Sequence, residues 1–156
     1  MAINKGSNEI GKVYKGSVQI GKIYKGSTLI YSADEEVTIV AKGQCHNSVN
    51  EQYAHYETTY TIPSGITKAT ITDFSVSDMT FGTGKGYIYL NNGFLGSMRL
   101  DYIGGGEHTL ANGITLPIER TVKAGDVFMV VAECWTNANV STYSPIFSVT
   151  ASITLE

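Results

Sequence analysis

Strict alternation of apolar and polar residues is the clearest pattern in the chain, and it is cleanest near the C-terminal end. Phe147, Val149, Ala151, Ile153 and Leu155 occupy every second position, with Ser148, Thr150, Ser152 and Thr154 between them. A period of two belongs to a β-strand with one face on a core. The same reading places Val37, Ile39 and Ala41 of "VTIVA" on one face, with Thr38 and Val40 on the other. "YAHYETTYTI", "TKATITDFSV", "GYIYLNN", "FLGSMRL" and "GITLPIERTV" follow as further strands, with Pro117 at an edge or bulge. "VFMVVAECW" is apolar on both faces and predicts a central strand.

Turn residues separate these runs. Pro63, Ser64 and Gly65 close one strand, "KAGD" precedes another, and Asn91, Asn92 and Gly93 give the strongest hairpin signal. "GGGEH" reads as a loose loop. No segment has helical periodicity. The expected fold is therefore all-β: an antiparallel β-sandwich or jelly roll of about eight strands over residues 34–156. A body of roughly 120 residues is large enough to bury its own core.

The first part of the chain follows another rule. Lys-Gly-Ser recurs at Lys5, Lys15 and Lys25, and an isoleucine at Ile10, Ile20 and Ile30, giving a ten-residue repeat that runs three times. Glycine suits a tight reversal, so each unit predicts a seven-residue strand and a three-residue turn, together a short β-meander. Val13 and Ile23 fall on one face of this ribbon, and Ile10, Tyr14, Ile20 and Tyr24 on the other. Three short strands cannot cover apolar groups on both faces. Residues 1–33 thus read as an attachment or assembly segment whose cover comes from the chain's own second domain, from copies of itself or from another protein. The plainer alternative is an N-terminal sheet of a single domain. Asp34, Glu35 and Glu36 mark the boundary.

Charge changes the picture little. Residues 1–31 hold five lysines against Glu9, while the remainder holds six basic and thirteen acidic side chains. The basic segment lacks arginine and spaces its lysines regularly, as solvated strand edges do, so no nucleic-acid partner is expected. Apolar runs are too short to span a bilayer, and Met1 leads into polar repeat sequence without an apolar leader. Synthesis and folding in a cytoplasm follow from this, and Cys45 and Cys134 then read as buried thiols rather than a disulfide. His46 beside Cys45 lacks a second ligand pair at metal-binding spacing, so no metal and no cofactor is expected.

Catalytic motifs are missing: no GxSxG, HExxH or GxxxxGK[ST] occurs. "GTGKGY", Gly82 to Tyr87, leads into a strand and so offers no helix N-terminus to an anion. It reads as a glycine-rich β-turn. A binding protein rather than an enzyme is expected. Ten tyrosines and one tryptophan are a large share for this length, and they supply the candidates. Alternation puts Tyr53, His55 and Glu57 on one face, Tyr56 and Tyr60 on the other, and Tyr87 with Tyr89. Trp135 ends its strand beside "TNANVSTY", which holds Tyr143. Exposed rings beside polar groups suit sugars, whose apolar faces stack while their hydroxyls hydrogen-bond. Tyr53, Tyr56, Tyr87, Tyr89, Trp135 and Tyr143 are the candidate ligand-binding residues.

"IGKIYKGSTLIYSA" resembles segments of bacteriophage and prophage structural proteins, in which a Tyr-x-Gly-Ser phrase precedes a β-rich domain. "YTIPSGITKATITDFSV" and "TVKAGDVFMVV" are similar in style to phage β-sandwich modules. The resemblance implies a tail, baseplate or head-fibre component of the virion, made in the host bacterial cytoplasm. It also implies a homo-oligomer, most often a trimer, in contact with other virion proteins and with host cell-surface carbohydrate. A carbohydrate-binding module of a bacterial surface or secreted system is the alternative.

Overall fold

The computed structural model describes residues 3–5, 8–10, 14–15, 18–19, 22–25, 28–32, 34–44, 53–77, 82–103, 107–135 and 146–156. The six segments before residue 33, together with 102–103 and 107–109, are described by backbone alone. Every regular element among them is a strand.

The repeat forms three separate two-stranded hairpins, not a meander. They are β1 (Ile3–Lys5) with β2 (Asn8–Ile10), β3 (Tyr14–Lys15) with β4 (Val18–Gln19), and β5 (Lys22–Lys25) with β6 (Thr28–Ser32). Lys5 pairs with Asn8, Lys15 with Val18 and Lys25 with Thr28, so each reversal falls just after a lysine, as the repeat implies. The described strands are two to five residues long, where seven-residue strands were expected, and each pairs only within its own hairpin. Of the expected assembly residues, Ile10, Tyr14, Ile23 and Tyr24 lie in these strands, while Val13 and Ile20 fall outside the described residues.

Nine strands in two antiparallel sheets make up the remainder, a β-sandwich. In chain order they are β7 (Glu35–Gln44), β8 (Tyr53–Thr61), β9 (Lys68–Ser77), β10 (Thr83–Leu90) and β11 (Gly93–Ile103). β12 (Glu107–Asn112), β13 (Ile118–Thr121), β14 (Val127–Trp135) and β15 (Ile146–Leu155) complete them. One sheet has the order β12-β11-β10-β14-β8 and the other β13-β9-β15-β7. β12 is the strand that the alternation did not reveal. The expected long strand around Pro117 shrinks to β13, an edge strand that starts just after this proline, as a residue without an N–H requires.

The core lies between the sheets. Phe74, Ile71, Phe147, Val149, Ile153 and Leu155 from one sheet meet Ile88, Phe128, Val130, Ala132 and Cys134 from the other, all fully buried. Each large side chain contributes about 1.5–3 kcal/mol by leaving water. "GTGKGY" is not a turn. It lies at the start of β10, where Gly84 and Gly86 face inward: a Cβ on Gly84 would collide with the Phe147 ring, and one on Gly86 with Val149 and Val76. These glycines let bulky residues of the opposing sheet approach the β10 backbone. Cys134 is disulfide-bonded, which overturns the expectation of a buried thiol there. Cys45 lies outside the described residues.

The β10–β11 hairpin turns on Asn91 and Asn92, both with positive φ (49° and 65°), and Gly93 already pairs with Leu90. That is the mirror-image turn geometry whose twist suits a tight hairpin, and asparagine tolerates it. The Asn91 side chain ties the tip to β14, accepting from the Val127 N–H at 2.9 Å and donating to Asp126 at 3.0 Å.

Candidate functional site: the aromatic face of the five-stranded sheet

Inward burial of Gly84, Gly86 and Ile88 forces Lys85, Tyr87 and Tyr89 onto the outer face of β10. In β14, burial of Phe128, Val130, Ala132 and Cys134 likewise turns Met129, Val131, Glu133 and Trp135 outward. In β8, Ala54 is buried and Tyr53, His55 and Glu57 are exposed. Register then sets these residues side by side: Tyr53, Trp135, Thr83 and Asp101 form one row across four strands. His55, Glu133, Lys85 and Arg99 form the next row, followed by Glu57, Val131, Tyr87 and Ser97.

The rings make a broken apolar surface. Tyr53 and Trp135 have centroids 5.3 Å apart, Tyr87 and Tyr89 6.4 Å, and Tyr89 and Phe94 5.8 Å. Tyr53 is 46% and Phe94 59% exposed, and Trp135, Tyr87 and Tyr89 are half-buried. A sheet face in water ordinarily carries short polar or charged side chains, so a run of rings here marks a contact surface.

Glu133 is the polar centre of this face. Its Oε1 accepts from the Tyr53 hydroxyl at 2.7 Å and lies 3.2 Å from His55 Nδ1, and its carboxylate also accepts from the Tyr87 hydroxyl. Glu57 sits on the other side of the imidazole, 3.6 Å from Nε2. Burial works to raise the Glu133 carboxyl, but the hydrogen bonds from Tyr53, His55 and Tyr87 outweigh it and hold the group below its ordinary value. Reciprocally, Tyr53 is pushed up to about 12, first by its hydrogen bond to Glu133 and then by burial. Tyr87 also rises to about 12, mainly by burial and then by the Glu133 charge.

Cations flank the rings on the β10–β11 side. Lys85 Nζ stands 5.0 Å from the Trp135 ring centroid. Arg99 Nε lies 2.8 Å from Asp101 Oδ2, and Thr83 donates to Asp101 Oδ1 at 2.7 Å. Two shallow hollows open here. One, of about 390 Å³, is lined by Lys85, Tyr87, Ser97, Arg99 and Asn112 among others, and the second, of about 240 Å³, by Thr83, Lys85, Arg99 and Trp135. Among the described residues, no group of three or more His, Cys, Asp or Glu side chains could hold a metal ion, and no helix is long and apolar enough to cross a membrane.

Four of the six candidate residues, Tyr53, Tyr87, Tyr89 and Trp135, thus come together on one face. Tyr56 does not. It points to the inner side, lies against Gly43, and donates to the Gln44 carbonyl at 2.7 Å. Tyr143 lies outside the described residues. Sequence reasoning passed over Glu133, Lys85 and Arg99. The signal for the first two was parity: Glu133 is two residues from Trp135 and Lys85 two from Tyr87, hence on the same faces. Arg99 could not be found so, because its neighbourhood depends on the β10–β11 register.

No family model matches the chain, and no curated protein matches it. Solved structures give distant likenesses. A cycloisomaltooligosaccharide glucanotransferase of Paenibacillus sp., complexed with cycloisomaltoheptaose, is similar over 78% of this chain and 18% of that one, at 9% identity and a TM-score of 0.31. The CBM36-1 domain of a multidomain xylanase, from the hindgut metagenome of Trinervitermes trinervoides, is similar over 77% of this chain and 96% of that one, at 12% identity and a TM-score of 0.27. Likenesses of this strength say nothing of what the chain binds.

Proposed function

We propose that this chain is a non-enzymatic virion structural protein of a bacteriophage or prophage, with a β-sandwich that binds a host-surface glycan. The binding surface is the outer face of the five-stranded sheet, with Tyr53, Trp135, Tyr87 and Tyr89 as stacking platforms and Glu133 and His55 as polar partners. The N-terminal hairpins dock the protein on other virion proteins or bundle copies of it, a trimer being what the phage resemblance favours. One observation carries the glycan reading: four aromatic rings lie beside hydrogen-bonding groups on a sheet face that no other element among the described residues covers. The virion setting rests on the likeness of residues 20–33 to phage structural segments.

A carbohydrate-binding module of a bacterial surface or secreted system is the second reading. It uses the same face, and the disulfide-bonded Cys134 favours it, because disulfides persist in oxidising compartments. Both readings are tested by a glycan array probed with the full chain and with Trp135→Ala and Tyr87→Ala, folding being checked by circular dichroism. Binding by the wild type and its loss in folded variants supports the glycan face; undiminished binding by the variants, or none by the wild type, rejects it. Light scattering then separates the settings: a trimer that becomes monomeric without residues 1–33 supports the virion role, and a monomeric full chain argues for the module.

A further inference from the structure

We infer that the glycan bound on this face is acidic, and that Lys85 pairs with its anionic group; the inference rests on the glycan reading above. Register sets Lys85 directly opposite Glu133 on one side and Arg99 on the other. An opposite-charge cross-strand pair ordinarily closes into an ion pair. Here it does not, because the Glu133 carboxylate is taken up by Tyr53, His55 and Tyr87. Among the described residues no carboxylate lies within ion-pair distance of Lys85, whose ammonium instead rests against the Trp135 ring at 5.0 Å.

On the other side, Lys85 faces a like charge. Two cations opposite each other on a ladder oppose folding unless an anion lies near them. Asp101 meets this need at close range for Arg99, at 2.8 Å, while Lys85 feels the Asp101 charge only from beyond ion-pair distance. Lys85 also stands where the two hollows adjoin, since it lines both, as does Arg99. Tyr87 lines the larger and Trp135 the smaller. A sugar ring stacked on either aromatic would therefore hold a ring carboxylate or sulfate beside the ammonium. The larger hollow, about 390 Å³, is within the range of small-ligand sites. A neutral sugar would leave the charge covered and unpaired, whereas an anion forms a charge-assisted hydrogen bond with it.

Trp135 is the chain's only tryptophan, so its emission reports directly on this spot. The full chain is titrated with trigalacturonate (carboxylated), a heparin tetrasaccharide (mainly sulfated) and maltotriose (neutral). An acidic probe should change the emission saturably, with a Kd that rises roughly tenfold in Lys85→Gln and rises with added salt in the wild type. Whichever acidic probe binds names the anionic group. The salt series needs no variant and so stands even if Lys85→Gln folds poorly. Binding of maltotriose alone, or acidic binding insensitive to both salt and Lys85→Gln, overturns the acidic inference while leaving a glycan face in place. Failure of all three probes, together with a silent glycan array, overturns both.

Discussion

The Tyr53 hydroxyl donates to Glu133 at 2.7 Å, joining edge strand β8 to the interior strand β14 and holding the phenol ring against Trp135. The two groups shift each other in opposite directions. The fold favours the neutral phenol, so what Tyr53 contributes to stability is complete below its ordinary value of 10.0 and disappears as pH rises toward about 12. Glu133 is depressed, so its contribution is complete above the ordinary carboxylate range and is lost as pH falls through its lowered value. An ultraviolet difference titration should show a late-ionising fraction near 12 that includes Tyr53 and Tyr87. In Glu133→Gln both should ionise earlier; an unchanged curve would mean that the carboxylate does not hold them.

Gly84 should not tolerate a side chain. Its Cβ would lie inside the contact distance of the Phe147 ring, and both residues sit in paired strands, Gly84 opposite Leu100 and Phe147 opposite Gly43. Gly84→Ala is expected to cost about 1–3 kcal/mol by overpacking, measured by urea denaturation. Gly84→Ala combined with Phe147→Leu should recover part of that loss. A second substitution that merely adds its own cost would show that ring and glycine are not coupled.

On β15, parity decides the effect of a charge. Ile153 is fully buried and Ser152 is not, so Ile153→Asp should unfold the sandwich while Ser152→Asp leaves a cooperative transition. Equal damage by circular dichroism melting would mean that the two faces have been misassigned.

Cys134 is disulfide-bonded, and its side chain is buried in the core. A thiol assay on the denatured, unreduced chain should detect no free thiol. Adding reductant should lower stability by about 2–4 kcal/mol. Two reactive thiols in the unreduced chain would exclude the bond.

The sandwich should fold without the repeat, because its two sheets supply each other's cover and the hairpins form sheets of their own. A chain lacking residues 1–33 is expected to unfold cooperatively on heating. A molten product, with far-ultraviolet signal but no sharp transition, would mean that the repeat completes the core.

Local alternation was enough to predict an all-β chain, the inward faces of β7 and β15, and the shared faces of Tyr53 with His55 and of Tyr87 with Tyr89. Those properties follow from a two-residue period that each strand carries in itself. Whatever depends on two strands meeting had to wait for the tertiary structure. Ile71 and Phe74 are three residues apart, which strict alternation would put on opposite faces, yet both are buried. The register of β9 on β15 skips Thr72, and this bulge restores the parity. Gly84 and Gly86 read as turn residues until Phe147 and Val149, more than sixty positions away, were seen to occupy the space beside them. The candidate face follows the same division. Each ring was legible on its own strand, but the row of Tyr53, Trp135, Thr83 and Asp101 exists only because β8, β14, β10 and β11 are neighbours in one sheet. Sheet order is set by the burial of whole faces against one another, a non-local free energy that no single stretch of sequence contains.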